Sequence, residues 1–180
     1  DLEPEVNRSR CLYFSAMHVQ GKDNKDWNNY GKPSAAFMKE CIQLLSEVEA
    51  CTAFSTADVA LVSLTDGNNR LKVDAMSTDP DFWKIFNMQF LDGRSFTEAE
   101  RGGEMMSVVI CASVARKLFG TVEAAGRQML LNREVVRIIG VVKDISVTAK
   151  DAYAQVWSMY HSGELNVTGW WSYNGNRTIA

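Results

Sequence analysis

Apolar and polar positions change their period several times along this chain, and each change marks an element. Residues 10–19 (RCLYFSAMHV) are dense in aromatic and apolar side chains and predict a strand. Residues 21–32 (GKDNKDWNNYGK) are polar, with Asn and Gly recurring, and predict a surface loop. Beyond Pro33, with Ser34 as N-cap, Phe37, Cys41, Leu44, Leu45 and Val48 recur at helical spacing, while Lys39, Glu40, Gln43 and Glu47 fall mostly on the other side. This periodicity predicts a helix over 34–48 with its apolar stripe turned to a core. Strands are predicted at 50–54 and 59–64. Asp66-Gly67-Asn68-Asn69 is a turn signal, and Leu71, Val73 and Ala75 alternate with Lys72 and Asp74 as in a half-buried strand.

The texture changes at Asp79-Pro80. Asp79 can cap and Pro80 suits the first helical position, so Phe82, Trp83 and Phe86 predict a short aromatic helix. Asp92-Gly93-Arg94 predicts a turn, and residues 97–100 a helical turn. Residues 106–111 (MSVVIC) predict a buried strand, and 113–119 a short helix ended by Gly120 in the left-handed conformation. Residues 128–131 and 134–142 predict an antiparallel pair about Asn132-Arg133, and 152–160 a further strand. In the tail, rich in Trp, Asn and Gly, a last strand is predicted at Arg177-Thr178-Ile179. The sum is an α+β chain of about eight short strands and a few helices. It divides into a first lobe, 1–76 with 147–180, and an inserted lobe, 77–146.

Composition narrows the function classes. A chain of 180 residues that is 46% hydrophobic and 23% charged can bury a core and does not read as disordered. Its net charge of -3, with 19 Lys and Arg scattered rather than striped, supplies no nucleic-acid surface. No apolar run is long enough to cross a bilayer as a helix and no signal peptide opens the chain; the first residue is Asp, as expected of a piece of a longer protein. Cys11, Cys41, Cys51 and Cys111 match no metal or disulfide-framework spacing and predict buried, inert thiols.

Candidate chemistry is sparse. Glu98 and Glu100, with Glu104, resemble a carboxylate pair for acid–base work, and a solvated loop is the simpler reading. His18 and His161 stand alone without metal-ligand spacing, and the glycines form neither a phosphate loop nor a dinucleotide motif. No catalytic residue, metal ligand or cofactor site is therefore expected. Phe82, Trp83 and Phe86 read as core rather than as a stacking platform. The sequons at Asn7, Asn166 and Asn176 read as chance matches in a bacterial protein. Trp27 and Tyr30, set in a polar loop, and Trp170 and Trp171 in the tail are the candidate partner contacts; the alternative is that they cover a core edge.

Several short segments occur in a recognisable order. Val73-Asp74-Ala75 precedes Asp81-Phe82-Trp83-Lys84-Ile85-Phe86, and Phe90-Leu91-Asp92-Gly93-Arg94-Ser95-Phe96-Thr97 follows. Ser107-Val108-Val109-Ile110 leads into Ala115-Arg116-Lys117-Leu118-Phe119-Gly120, then Gly126-Arg127-Gln128-Met129 and Ile138-Ile139-Gly140-Val141-Val142-Lys143-Asp144. Together they resemble the periplasmic core domain of MacB-type ABC transporter permeases, which share membrane architecture with FtsX and LolC. The resemblance implies a two-lobed α+β domain, an α/β lobe carrying an inserted mixed lobe, that faces the periplasm from the bacterial inner membrane. It implies no enzyme activity in this chain and a mechanotransmission role in efflux or extraction. The implied partners are an ABC ATPase subunit acting through the membrane part, a second permease copy and a periplasmic adaptor. A sensor or ligand-binding module for a peptide or lipid is the alternative.

Overall fold

A computed structural model describes residues 3–6, 8–14, 16–20, 28–31, 33, 37–159 and 167–173. The strands are β1 (Cys11–Phe14), β2 (Met17–Gln20), β3 (Asn28–Gly31), β4 (Ala50–Ser55), β5 (Asp58–Ser63) and β6 (Leu71–Thr78). A short helix α1 (Phe82–Ile85) follows, then β7 (Phe90–Gly93), β8 (Ser107–Cys111), helix α2 (Ala112–Phe119), β9 (Gln128–Leu131), β10 (Glu134–Val142), β11 (Val156–Met159) and β12 (Val167–Tyr173). The sheet-dominated α+β class expected from the sequence is the one found.

Among the described residues, ten strands form one sheet, and six of them close on themselves. β6 pairs with β11, β11 with β8, β8 with β10, β10 with β9, β9 with β5, and β5 returns to β6. Asn132, left-handed at φ 49°, fastens the weakest seam: its N–H donates to Leu61 O at 2.8 Å, and its Oδ1 accepts from Leu61 N–H at 2.9 Å. β8 is buried at every position because strands flank it and helix α2 covers it, which is why it reads as an unbroken apolar run. In β10 the early residues alternate, with Val136 and Ile138 inward and Val135 and Arg137 outward. The rings of Phe82, Phe86, Trp83 and Trp157 fill the core.

Of the four other strands in this sheet, β7 pairs with β10 and three make an arm. β4 pairs with β12 and β12 with β1, all antiparallel, so the arm runs β1–β12–β4 and joins the closed circuit at β6.

Several expectations are corrected. The stretch 10–19 is two strands rather than one, because its halves find different partners: β1 joins the large sheet, and β2 pairs with β3 in a separate two-stranded sheet. Part of the expected loop 21–32 is therefore strand β3. Among the described residues, the helix expected over 34–48 shortens to a π-helical turn, Met38–Ile42, followed by turns; residues 34–36, with the proposed cap Ser34, lie outside them. The surface available to it is small: Met38 packs on Cys51 and Ala53, with Phe14, Phe37, Ile42 and Val48 at the edge. Leu44 and Leu45, 76% and 49% exposed, find nothing to pack on, and a short helix without a docked face is marginal. Cys41 is exposed for the same reason and Cys11 half-buried, whereas Cys51 and Cys111 are buried as expected; none of the four is in a disulfide.

Asp92-Gly93 belongs to strand β7 rather than to a simple turn, the strand at 152–160 shortens to β11, and β12 forms at 167–173. The last strand expected at 177–179 lies outside the described residues. Helix α2, its terminal Gly120 at φ 74°, and the β9–β10 pair turning through Asn132 and Arg133 form as expected.

Candidate functional site

The place where arm and closed circuit meet is the most constructed polar site in the described residues. β6 ends at Thr78, and the next two residues, Asp79 and Pro80, end the backbone ladder because proline has no N–H. Asp79 supplies the missing rung with its side chain. Its Oδ2 accepts from Ala53 N–H at 2.9 Å, and its Oδ1 from the Thr52 hydroxyl and, at 3.2 Å, from Phe82 N–H. One carboxylate thus ties β4, the end of β6 and the start of α1. The expected cap shifts by two residues: α1 starts at Phe82, its N-cap position is Asp81 without a side-chain capping bond, and Asp79 reaches the Phe82 N–H from outside, so Pro80 is not the first helical residue. Asp81 holds Lys84 at 2.7 Å on the same turn.

The residue as a whole is half-buried, but its carboxylate faces protein rather than solvent. Burial pushes its pKa up to about 6, opposed by the three donors and reinforced by Asp81. The neighbouring Cys51 thiol is pushed up to about 12, again by burial first, then by Asp79 and Asp81, so it is inert. An acid that holds its proton more tightly when folded contributes stability that is fully present below its unfolded value and is lost as pH rises through its folded value. For Asp79 that window runs from the ordinary 3.8 to about 6. Urea midpoints of wild type and Asp79→Asn, compared at about pH 4 and about pH 7, are expected to show the wild-type advantage shrinking as pH rises. A constant or growing difference would place the Asp79 pKa at or below its ordinary value. Taking the difference between variants cancels Glu5 and Asp151, which burial also raises.

Two motif glycines share a second piece of geometry. Gly93 on β7 lies directly opposite Gly140 on β10. A Cβ on Gly140 would stand 2.3 Å from Arg94 O and 2.8 Å from the Phe90 ring. One on Gly93, whose φ is +67°, would meet Ile139 O. The motif's closing Asp144 accepts from Ser113 N–H at 3.0 Å, satisfying an otherwise open donor in the first turn of α2.

The remaining candidates fall into place separately. Trp27 lies outside the described residues; Tyr30 is on β3, opposite His18 in the two-stranded sheet. Trp170 and Trp171 are on β12, opposite Ala53 and Thr52 of β4, so these two and Tyr30 belong to different sheets. Glu100 bonds Arg94 and Thr97, which hold its pKa down to about 2, and Glu98 pairs with Arg101; this is a capped 3-10 turn and not an acid–base pair. Phe82 and Phe86 are fully buried, as core residues should be. No group of three or more His, Cys, Asp or Glu among the described residues is placed to hold a metal ion. Sequence reasoning missed the reach of Asp79 to β4. The one signal was an acidic residue before proline at a strand end, which local rules read only as a cap.

With the geometry in place, comparison with known proteins is decisive. The family model of the MacB-like periplasmic core domain matches residues 12–173. The chain belongs to this family. It is a MacB-like periplasmic domain of the kind carried by ABC transporter permeases, and the family domain is not a catalytic one. Among curated relatives, the macrolide export ATP-binding/permease protein MacB of Wolinella succinogenes is 26% identical over 137 residues, 75% of this chain and 21% of that protein. The pyoverdine export ATP-binding/permease protein PvdT of Pseudomonas aeruginosa is 31% identical over 91 residues, 49% of this chain and 14% of that protein. This chain thus spans about a fifth or less of the curated relatives' length. The crystal structure of the periplasmic region of MacB from Actinobacillus actinomycetemcomitans superposes with a TM-score of 0.68 at 15% identity, covering 98% of this chain and 81% of that one. The extracellular domain of the noncanonic ABC-type transporter YknZ from Gram-positive bacteria gives 0.63 at 13% identity, covering 92% and 84%. At such identities the likeness is one of fold. The MacB-like fold is therefore shared while most residues differ.

Proposed function

We propose that this MacB-like domain is a stiff lever on the periplasmic side of a bacterial inner-membrane permease, passing ATP-driven movement across the membrane to drive efflux or extraction of a substrate. The observation that carries this reading is the pairing of the first and penultimate parts of the arm. Cys11 lies opposite Tyr173 in antiparallel register, so the chain enters and leaves the sheet at the same end, side by side. Segments continuing from that end can enter one bilayer leaflet together, and a displacement of either is shared through the β1–β12 ladder. Beyond the arm stands a closed, densely packed body that resists compression. On this reading ATP is hydrolysed by a separate ATPase subunit or domain, a second permease copy completes a homodimer, and a periplasmic adaptor meets the far end. Trp27, Tyr30, Trp170 and Trp171 are the proposed partner contacts.

The division into a first lobe, 1–76 with 147–180, and an inserted lobe, 77–146, belongs to the same proposal. β5, β6 and β11 of the first and β8, β9 and β10 of the second are hydrogen-bonded in one circuit, which supports their moving as one body. The clefts that stand out among the described residues are about 160 Å3, beside Pro4 and Asn87, and about 350 Å3, beside Met105 and Met159. The first is smaller than a usual ligand pocket and the second lies at the bottom of that range.

The test uses the full-length permease with its ATPase in liposomes. Spin labels replacing the exposed Val147 in both copies, with Cys41 changed to serine, are expected to report one separation without nucleotide and another with trapped ATP. A separation indifferent to nucleotide would refute the lever.

A further inference from the structure

The arm and the closed circuit are joined by little backbone. The register between β4 and β6 is a single pair, Phe54 with Thr78, and only Thr56 and Ala57 separate β4 from β5. Around that pair stand Ser77 N–H, which donates to Ser55 Oγ at 2.9 Å, and the Phe54 ring, edge-on to Phe82 and Phe86 at 6.2 and 6.5 Å. Against so short a ladder, the Asp79 carboxylate brings three hydrogen bonds, two of them reaching across to β4. It does so where Pro80 prevents any further backbone rung. The same carboxylate orients α1, whose aromatic side chains carry the core of the closed body.

We propose that Asp79 is the clasp that seats the arm on the closed circuit, a positioning residue through which movement of β1 and β12 passes by way of β4 into the body. Without it, β4 keeps one register pair, the Ser55–Ser77 hydrogen bond, the packing of Phe54 and a covalent link of two residues, and the arm can swivel at Thr56 and Ala57 rather than carry the body with it. Hydrogen bonds to a charged or half-buried acceptor hold better than neutral ones, and a buried donor left without its acceptor is costly, so a single side chain can govern the joint. The proposal rests on the lever reading for its function but not for its structure.

The experiment has two arms. Hydrogen exchange of the chain, wild type against Asp79→Asn, Asp79→Ala and Thr52→Val, reads the joint directly. Amides of β4, Ala53 first, are expected to exchange about tenfold faster or more in each variant, while β8 and β10 amides keep their wild-type rates. Equal acceleration in β4, β8 and β10 overturns the clasp in favour of general stability, and so does unchanged exchange in β4. Thr52→Val removes one hydroxyl with little change of shape, so the question stays answerable if Asp79→Ala does not fold. In the reconstituted permease, Asp79→Asn is expected to hydrolyse ATP at the wild-type rate while losing at least half of the nucleotide-dependent change in separation. A full change in the variant overturns the clasp's role. A wild type that does not move sinks the lever alone, and the exchange pattern then decides the clasp by itself.

Discussion

Gly140→Ala is expected to destabilise the domain by about 3 kcal/mol or more, the upper range for forcing atoms into a packed interior. The reason is local and steric. The new methyl carbon would stand 2.3 Å from Arg94 O, and that oxygen is backbone, so no side-chain rotation relieves the clash. β7 would have to lift off β10, breaking the register that sets Gly93 against Gly140. Gly93→Ala should be as severe, since it adds the cost of a left-handed φ, about 1–2 kcal/mol, to its collision with Ile139 O. Gly103 is the control: its nearest neighbour to an added Cβ is at 3.5 Å, and Gly103→Ala should shift stability by only about 0.5 kcal/mol. Urea midpoints of the three variants decide the matter. If Gly140→Ala and Gly103→Ala unfold at the same concentration, β7 is not seated across β10 in this way. A domain of this size has only about 5–15 kcal/mol in total, so the first two variants are expected to express poorly.

Trp157→Ala should cost about 3–5 kcal/mol, as large buried aromatics do when truncated. Trp157 is fully buried on β11, the strand that bridges β6 and β8, and its ring stands edge-on to Trp83 at 5.9 Å. Its indole N–H donates to Ala152 O at 3.3 Å, tying the preceding turn to the strand. Removing the ring leaves a cavity between strand and α1 that neither can fill without leaving the sheet. Thermal unfolding is the measurement, with an expected fall of roughly 10 °C. Trp157→Phe, which keeps much of the ring, should fall by clearly less. Equal losses for Phe and Ala would mean that the hydrogen bond to Ala152, and not the packing, carries the site.

How far the site was legible depended on whether its chemistry was local. The strand that carries Gly140 was readable from its apolar residues, and α2 with Gly120 as a helix and its stop. Of the Asp79 bonds, only that to the Phe82 N–H was within reach of the sequence, because it spans three positions. The bonds to Thr52 and Ala53 cross 27 and 26 positions of chain, and no pattern around Asp79 announces them. Nor could Gly93 and Gly140 be matched from spacing, since what they share is a close approach of two backbones 47 positions apart in sequence.

By itself, the order of apolar and polar residues determined the α+β class, most strands of the closed circuit, the second helix and the turn at Asn132. It also carried the motif order by which the MacB-like family is recognised. Those are properties of a period, a cap or a turn, settled within about ten residues of chain. Only the tertiary structure decided that 10–19 would be shared between two sheets, that the amphipathic stretch 34–48 would end as a π-turn with Leu44 and Leu45 in solvent, and that β1 and β12 would lie side by side. Each of those outcomes depends on which distant surface is present to pair with or to bury a face. Hydrogen-bonded ladders and buried area form between segments, and a segment's own residues do not say which neighbour it will meet.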